Sequence, residues 1–266
     1  MLVAHKDNPD KPEGCVVPFV YPNGTGWVGF FIINKPFRGN GWGSTLFQAG
    51  LDHFVTGGAK LVGLDAVEEQ VGTYERRGFV QESRIRLMTR DGLKNKPLEG
   101  GLDHPQKGQE LFPLYQIPSE VLTKSDLEHS GLERPKLWTE EAMFSRQDTF
   151  GFALVKEGAK DVLDGWILVR SCQLGFRFGP LYATTKENAK LLLRTAMKRV
   201  EKENGTFMAE VWPQNPEANA IFEGVGWIYT GIDYYRMWLN GLVPKEQQPG
   251  GLAEKQCFAV FDAGEG

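Results

Sequence analysis

Trp27-Val28-Gly29-Phe30-Phe31-Ile32-Ile33-Asn34 runs directly into Lys35-Pro36-Phe37-Arg38-Gly39-Asn40-Gly41-Trp42-Gly43, and this stretch decides the fold. Its first part is a nearly continuous apolar run of strand length, the pattern of a strand buried on both faces. Its second part is glycine-rich. Beyond it Trp42, Leu46, Gly50 and Phe54 recur at every fourth position, with Phe47 and Leu51 beside them. That spacing makes the apolar stripe of an amphipathic helix. Gly57-Gly58 ends that helix, and Leu61-Val62-Gly63-Leu64-Asp65 is the next strand.

Working outward, residues 2–4 and 15–20 read as strands, and Asn23-Gly24-Thr25-Gly26 as a turn in which glycine supplies positive φ. A short helix is expected over 70–77, stopped by Gly78. A strand over 79–89 follows, with Ser83, Ile85 and Leu87 on one face. Residues 91–113 hold four glycines and three prolines and read as a linker. A second series then begins, with Ser119 as candidate N-cap of a helix. Strands are expected over 150–155, 166–169 and 176–181. Ala189, Leu192, Leu193, Ala196, Met197 and Val200 give a clean helical pattern. A strand over 208–212, a helix from Asn215, a strand ending at Leu239 and a last strand over 257–261 complete the series.

The two halves rhyme. Tyr74-Glu75-Arg76-Arg77-Gly78-Phe79 matches Phe222-Glu223-Gly224-Val225-Gly226-Trp227 at an offset of 148 residues. The same offset carries 61–65 onto 209–213 and 31–33 onto 179–181. Duplication of one α/β unit accounts for this. The fold class is therefore α/β (α+β), two mixed-sheet domains in tandem: 1–90, the linker 91–113, and 114–266.

The 266 residues suit two domains, and 41% hydrophobic with 24% charged residues is ordinary globular composition. Lys and Arg number 30 against 34 Asp and Glu, a net charge of −4, which argues against nucleic acid as partner. No apolar run is long enough to span a membrane. The first residues, Met1-Leu2-Val3-Ala4-His5-Lys6-Asp7, lack the layout of a signal peptide. Cys15, Cys172 and Cys257 stand far apart and form neither a disulfide framework nor a metal pattern. The expectation is a cytoplasmic protein with no metal.

The glycine turn carries the chemistry. Glycines at a strand-to-helix turn let backbone approach a ligand, and the unpaired N–H groups of a helix start favour an anion. A pyrophosphate fits, and so does a ligand-free turn. The Walker pattern fits worse, because Gly43-Ser44-Thr45 lacks its lysine. The dinucleotide fingerprint also fits worse, because Gly39, Gly41 and Gly43 are spaced by two.

Arg38-x-x-Gly41-x-Gly43 after an apolar strand, followed by Tyr74-x-x-x-Gly78-Phe79, resembles the acyl-CoA motifs of the GNAT superfamily of N-acetyltransferases. With a second, similar half the whole chain resembles a tandem GNAT subgroup. The resemblance implies transfer of an acetyl group from acetyl-CoA to a primary amine, by direct attack. It implies that the backbone of Arg38, Gly39, Asn40, Gly41, Trp42, Gly43 and Ser44 cradles the pyrophosphate. Main-chain groups of Phe31 and Ile33 would pair with the pantetheine arm. Tyr74 matches the tyrosine that protonates the leaving thiolate, a role open to a phenol that keeps its proton at neutral pH; it also reads as a core aromatic. Asp65, Glu68 and Glu69 stand where a base could act, and none is singled out. The acceptor is expected to be a small-molecule amine.

Two departures bear on this. The family's opening strand and helices, which wall the acceptor site, are missing before residue 2, as in a truncated product or one whose second half closes the gap. In the second half the offset puts Lys186, Ala189 and Leu191 where Arg38, Gly41 and Gly43 stand, and Phe222 in place of Tyr74. That half is expected to bind no CoA and to fold alone. The competing class is a non-catalytic acyl-CoA-binding or scaffold protein.

Overall fold

The structure, a computed structural model, describes residues 1–100 and 104–266; residues 101–103 of the expected linker lie outside the described residues. The first half runs β1 (Leu2–His5), β2 (Asn8–Val20), β3 (Thr25–Ile33), α1 (Trp42–Thr56), β4 (Leu61–Val67), α2 (Val71–Glu75) and β5 (Phe79–Asp91). The second half runs β6 (Gln109–Pro113), α3 (Ser119–Ser130), β7 (Thr149–Lys156), β8 (Ala159–Cys172), β9 (Gly175–Ala183), α4 (Lys186–Arg199), β10 (Thr206–Val211) and α5 (Ala218–Glu223). It ends with β11 (Ile228–Leu239), α6 (Leu252–Gln256) and β12 (Cys257–Ala259).

The periodicities place the core correctly. Leu46, Phe47, Gly50 and Phe54 of α1 are buried, and so is the whole 189–200 stripe of α4. Several expectations shift. Residues 109–113 of the expected linker form β6, which pairs with β7 from Gln109↔Lys156 to Pro113↔Phe152. The strand is short, and its Pro113 with the nearby Gly108 reads as loop in the sequence. The N-cap of α3 is Pro118, not Ser119, which is the first helical residue. The run 27–34 is buried on both faces only at its start; Phe30 is 49% and Ile32 is 51% exposed. β2 reaches back to Asn8, well before Cys15.

The twelve strands of the described residues form one sheet, in the order β1-β2-β3-β4-β11-β5-β10-β12-β9-β8-β7-β6. The halves therefore exchange their long terminal strands. β11 of the second half lies between β4 and β5, from Trp238↔Gly63 to Tyr234↔Val67 on one side. β5 of the first half pairs with β10, from Thr206↔Asp91 to Val211↔Arg86. Each half closes the other's sheet, so the second half does not contain the partner that covers the edge of β10.

The two faces of the first half differ. One is covered by α1, with Val28, Val62, Leu64 and Ala66 beneath it. The other carries Trp27 and Trp238 and is covered by second-half residues. Trp27 Nε1 donates to the Ala263 carbonyl (3.1 Å), and the Tyr21 hydroxyl donates to the Glu265 carbonyl (3.2 Å). Arg134 holds the Gly266 oxygen at 2.7 Å and is itself bound to Asp126. The C-terminal segment, residues 263–266, thus lies against this face. No helix among the described residues is long and apolar enough to cross a membrane.

Candidate functional site

β3 and β4 pair in parallel only from Thr25↔Leu61 to Trp27↔Gly63, and then separate. The separation begins at a bulge. The β2–β3 register shifts between Cys15 and Val17, opposite Gly29 to Ile32, and Phe30 sits at φ 50°. An inserted residue bends its strand away from its neighbour. Past the bulge the chain turns through a 3₁₀ segment (Lys35–Phe37) into the glycine loop. Arg38 Nε donates to the Ile33 carbonyl (2.8 Å), tying the loop to the strand end.

Gly39 and Gly41 both stand at φ +80°, and Gly41 is the N-cap of α1 with no side-chain cap. A Cβ on either would meet nothing within 4 Å. These glycines are needed for their backbone conformation, which L-residues adopt at a cost. Gly43 differs: a Cβ there would touch Ile33 Cγ1 and Phe31 Cζ at 3.4 and 3.5 Å, so the helix start lies close on the strand. Among the described residues no acceptor is found for the amides of residues 39–44; the first helical bond is Thr45 N–H to the Gly41 carbonyl (3.1 Å). Unpaired amides at the positive end of a helix dipole favour an anion.

These elements enclose a cleft of about 550 Å³ lined by Phe31, Ile33, Arg38, Gly39, Gly41, Gly43, Ser44 and Tyr74 from the expected set. Two expected residues point elsewhere. The Trp42 ring stacks on Phe37 (4.9 Å) and His5 (5.9 Å), and the Asn40 amide reaches back to the Arg38 carbonyl (3.4 Å). Only their backbone amides belong to the loop. Ile32, Val67, Gln70, Thr73 and Arg77 also line the cleft and escaped the sequence reading. Thr73 and Arg77, four apart around Tyr74, were legible as one side of a helical turn; Ile32 and Val67 depend on the splay.

Tyr74 is half-buried between Phe47 (5.6 Å) and Phe79 (6.2 Å) and lines the cleft as well. It is thus both core aromatic and cleft wall. Burial raises its phenol above the usual value, with Arg77 opposing, so the proton is held at neutral pH. Asp65 is not placed to act as a base. Its carboxylate is buried against Arg236, whose Nε and Nη2 donate at 2.9 and 2.8 Å. Burial pushes its carboxyl up and Arg236 pulls it down. Glu68 and Glu69 are exposed on the short turn beyond β4.

In the second half the corresponding splay is filled. β9 and β10 pair from Gly175↔Thr206 to Arg177↔Met208, and β12 then lies between them. It pairs with β9 at Cys257↔Tyr182 and with β10 at Ala259↔Val211. The Phe258 carbonyl accepts from Trp212 N–H (3.1 Å), and Val260 N–H donates to the Glu210 carbonyl (2.9 Å). Asn215 Nδ2 adds a bond to the Cys257 carbonyl (3.1 Å). The uniform offset fails at the loop. Eight residues (34–41) separate β3 from α1, but only Thr184 and Thr185 separate β9 from α4. The residue matching Gly41 is therefore Thr185, whose hydroxyl caps the Asn188 amide (3.2 Å), rather than Ala189. Phe222, in the place of Tyr74, is buried edge-on to Trp227 (5.1 Å).

Comparison with known proteins finds one family in both halves. Residues 1–79 match the acetyltransferase (GNAT) family, and residues 122–248 match an acetyltransferase (GNAT) domain. Holothin acyltransferase of Pseudoalteromonas sp. (strain SANK 73390) is 27% identical over 191 residues, 72% of this chain. The chain spans only 59% of that curated relative's length. The crystal structure of a candidate acetyltransferase from Pyrococcus horikoshii superposes with a TM-score of 0.70 at 20% identity, covering 97% of this chain and 77% of that one. A tandem GNAT protein from the clavulanic acid biosynthesis pathway gives a TM-score of 0.58 at 13% identity, covering 86% and 79%. The chain belongs to the GNAT acetyltransferase family and carries two such domains in tandem.

Proposed function

We propose that the chain is an N-acetyltransferase that takes its acetyl group from acetyl-CoA and passes it to a primary amine. The observation that carries this is the coincidence of unpaired loop amides with Tyr74 around one cleft at the β3–β4 splay. The amides of residues 39–44 would hold the pyrophosphate, and the separated main chain of Phe31 and Ile33 would flank the pantetheine arm. The ammonium loses one proton to solvent, and the free nitrogen attacks the thioester carbonyl. The N–C bond forms and the C–S bond breaks. The leaving thiolate takes the phenolic proton of Tyr74, which is restored by the second proton shed from nitrogen. One proton is released overall. Holding both reactants together supplies proximity, and the tyrosine supplies general acid catalysis.

One donor binds per chain, because β12 lies in the second splay and that half has no glycine loop. Calorimetric titration with acetyl-CoA, followed by CoA release assays over a broad amine panel, tests the reading. Binding with turnover is the expected result. Binding without turnover over the whole panel supports the non-catalytic alternative, and absence of binding overturns both.

A further inference from the structure

The two faces of the β3–β4 splay are chemically unlike. The donor-side lining has the loop glycines, Ser44, Arg38 and Arg77. On the opposite face strand alternation places Phe30, Ile32 and Val67, and these large apolar residues are 49%, 51% and 42% exposed. Ile32 and Val67 line the same cleft, so the shelf adjoins the cleft proposed for the donor rather than lying apart from it. Contiguous apolar surface beside a cleft marks a binding surface.

Phe30 is held there at a price in conformation. Its φ of 50° is unusual for a bulky residue, and its ring packs on Gly264, where a Cβ would come within 2.9 Å of Cζ. The strain and the glycine contact together fix the ring at the splay. Tyr234 stands beside Val67 in the β11–β4 register, on the same face as Arg236 and Trp238. Two ion pairs lie deeper on this face, Asp65 with Arg236 and Asp262 with Arg170 at 2.8 Å. Polar groups on the part of an acceptor that rests on Phe30, Ile32 and Val67 would be desolvated there.

Resting on the acetyl-transfer reading, we infer that the acceptor is a small amine with a flat apolar body, an arylalkyl or alkyl amine, lying on Phe30, Ile32 and Val67 with its nitrogen entering the splay. Transfer is compared for tryptamine, phenethylamine, glucosamine, spermidine and a lysine-containing peptide. The two arylalkyl amines are expected to exceed the others in kcat/KM by roughly tenfold or more. Ile32→Ser and Val67→Ser alter exposed side chains, and Phe30→Asn keeps a residue tolerant of positive φ. Each should raise KM for tryptamine several-fold, and Phe30→Asn, whose side chain is outside the cleft lining, should leave the calorimetric Kd for acetyl-CoA unchanged. Preference for glucosamine, spermidine or the peptide, or an unchanged tryptamine KM in all three variants, overturns the inference while leaving the transfer reading standing. Acetyl-CoA bound with no amine consumed, or not bound, overturns both.

Discussion

Replacing Gly41 with valine separates the demands of the loop on folding from its demands on the ligand. Gly41 has φ +80°, and a Cβ there meets nothing within 4 Å, so added bulk alone is tolerated. The penalty is conformational, about 1–2 kcal/mol for an L-residue in the left-handed region and more for a β-branched one. The variant relieves it by rotating the peptides on either side, which turns the amides at the start of α1 away from a shared focus. An amide bond to a charged phosphate contributes about 1.5–3 kcal/mol. Loss of two such bonds lowers acetyl-CoA affinity by ~10²–10⁴-fold. Calorimetry reads this, with thermal melting reporting a stability loss of only a few degrees. S-acetylpantetheine, which has no pyrophosphate, should keep its kcat/KM as donor. If acetyl-CoA affinity is intact, or if both donors lose equally, the pyrophosphate does not sit on this loop.

Three further outcomes are expected. Tyr74→Phe keeps the ring between Phe47 and Phe79, so acetyl-CoA affinity should hold while turnover falls by ~10²–10⁴-fold; wild-type turnover would reduce Tyr74 to a packing residue. The chain divided within the 91–113 segment should yield two halves that aggregate or stay unfolded singly, because β4 and β10 lose β11 and β5, and should regain native size when co-expressed; an isolated second half that is monomeric and cooperatively folded refutes this. Burial pushes the Glu210 carboxyl up to about 7, with Arg177 opposing. The folded state therefore keeps a proton that the unfolded chain sheds near its usual pKa, and stability falls as pH rises toward 7. Urea midpoints across that range should show the slope, and Glu210→Gln should flatten it; an unaltered slope assigns it to other groups.

What the sequence determined by itself is local. The 27–43 stretch carries a strand, a loop that needs positive φ and a helix within a few residues of one another, and local backbone preference with apolar spacing is enough to place Gly39, Gly41 and Gly43; Tyr74 is singled out only by the resemblance to the family's motif. Side-chain direction within the loop was less legible, since whether Trp42 faces the cleft depends on Phe37 and His5 packing beside it. The tertiary structure alone decided the partners. A strand's hydrogen bonds are made by backbone groups common to every residue, so the sequence of Cys257–Ala259 does not announce that it fills the second splay. Nor does it announce that β5 and β11 change places, or that Asp65 is neutralised by Arg236, 171 residues away. Those choices follow from the burial available once both halves are folded together, which is why one half keeps an open cleft and the other holds its own chain in it.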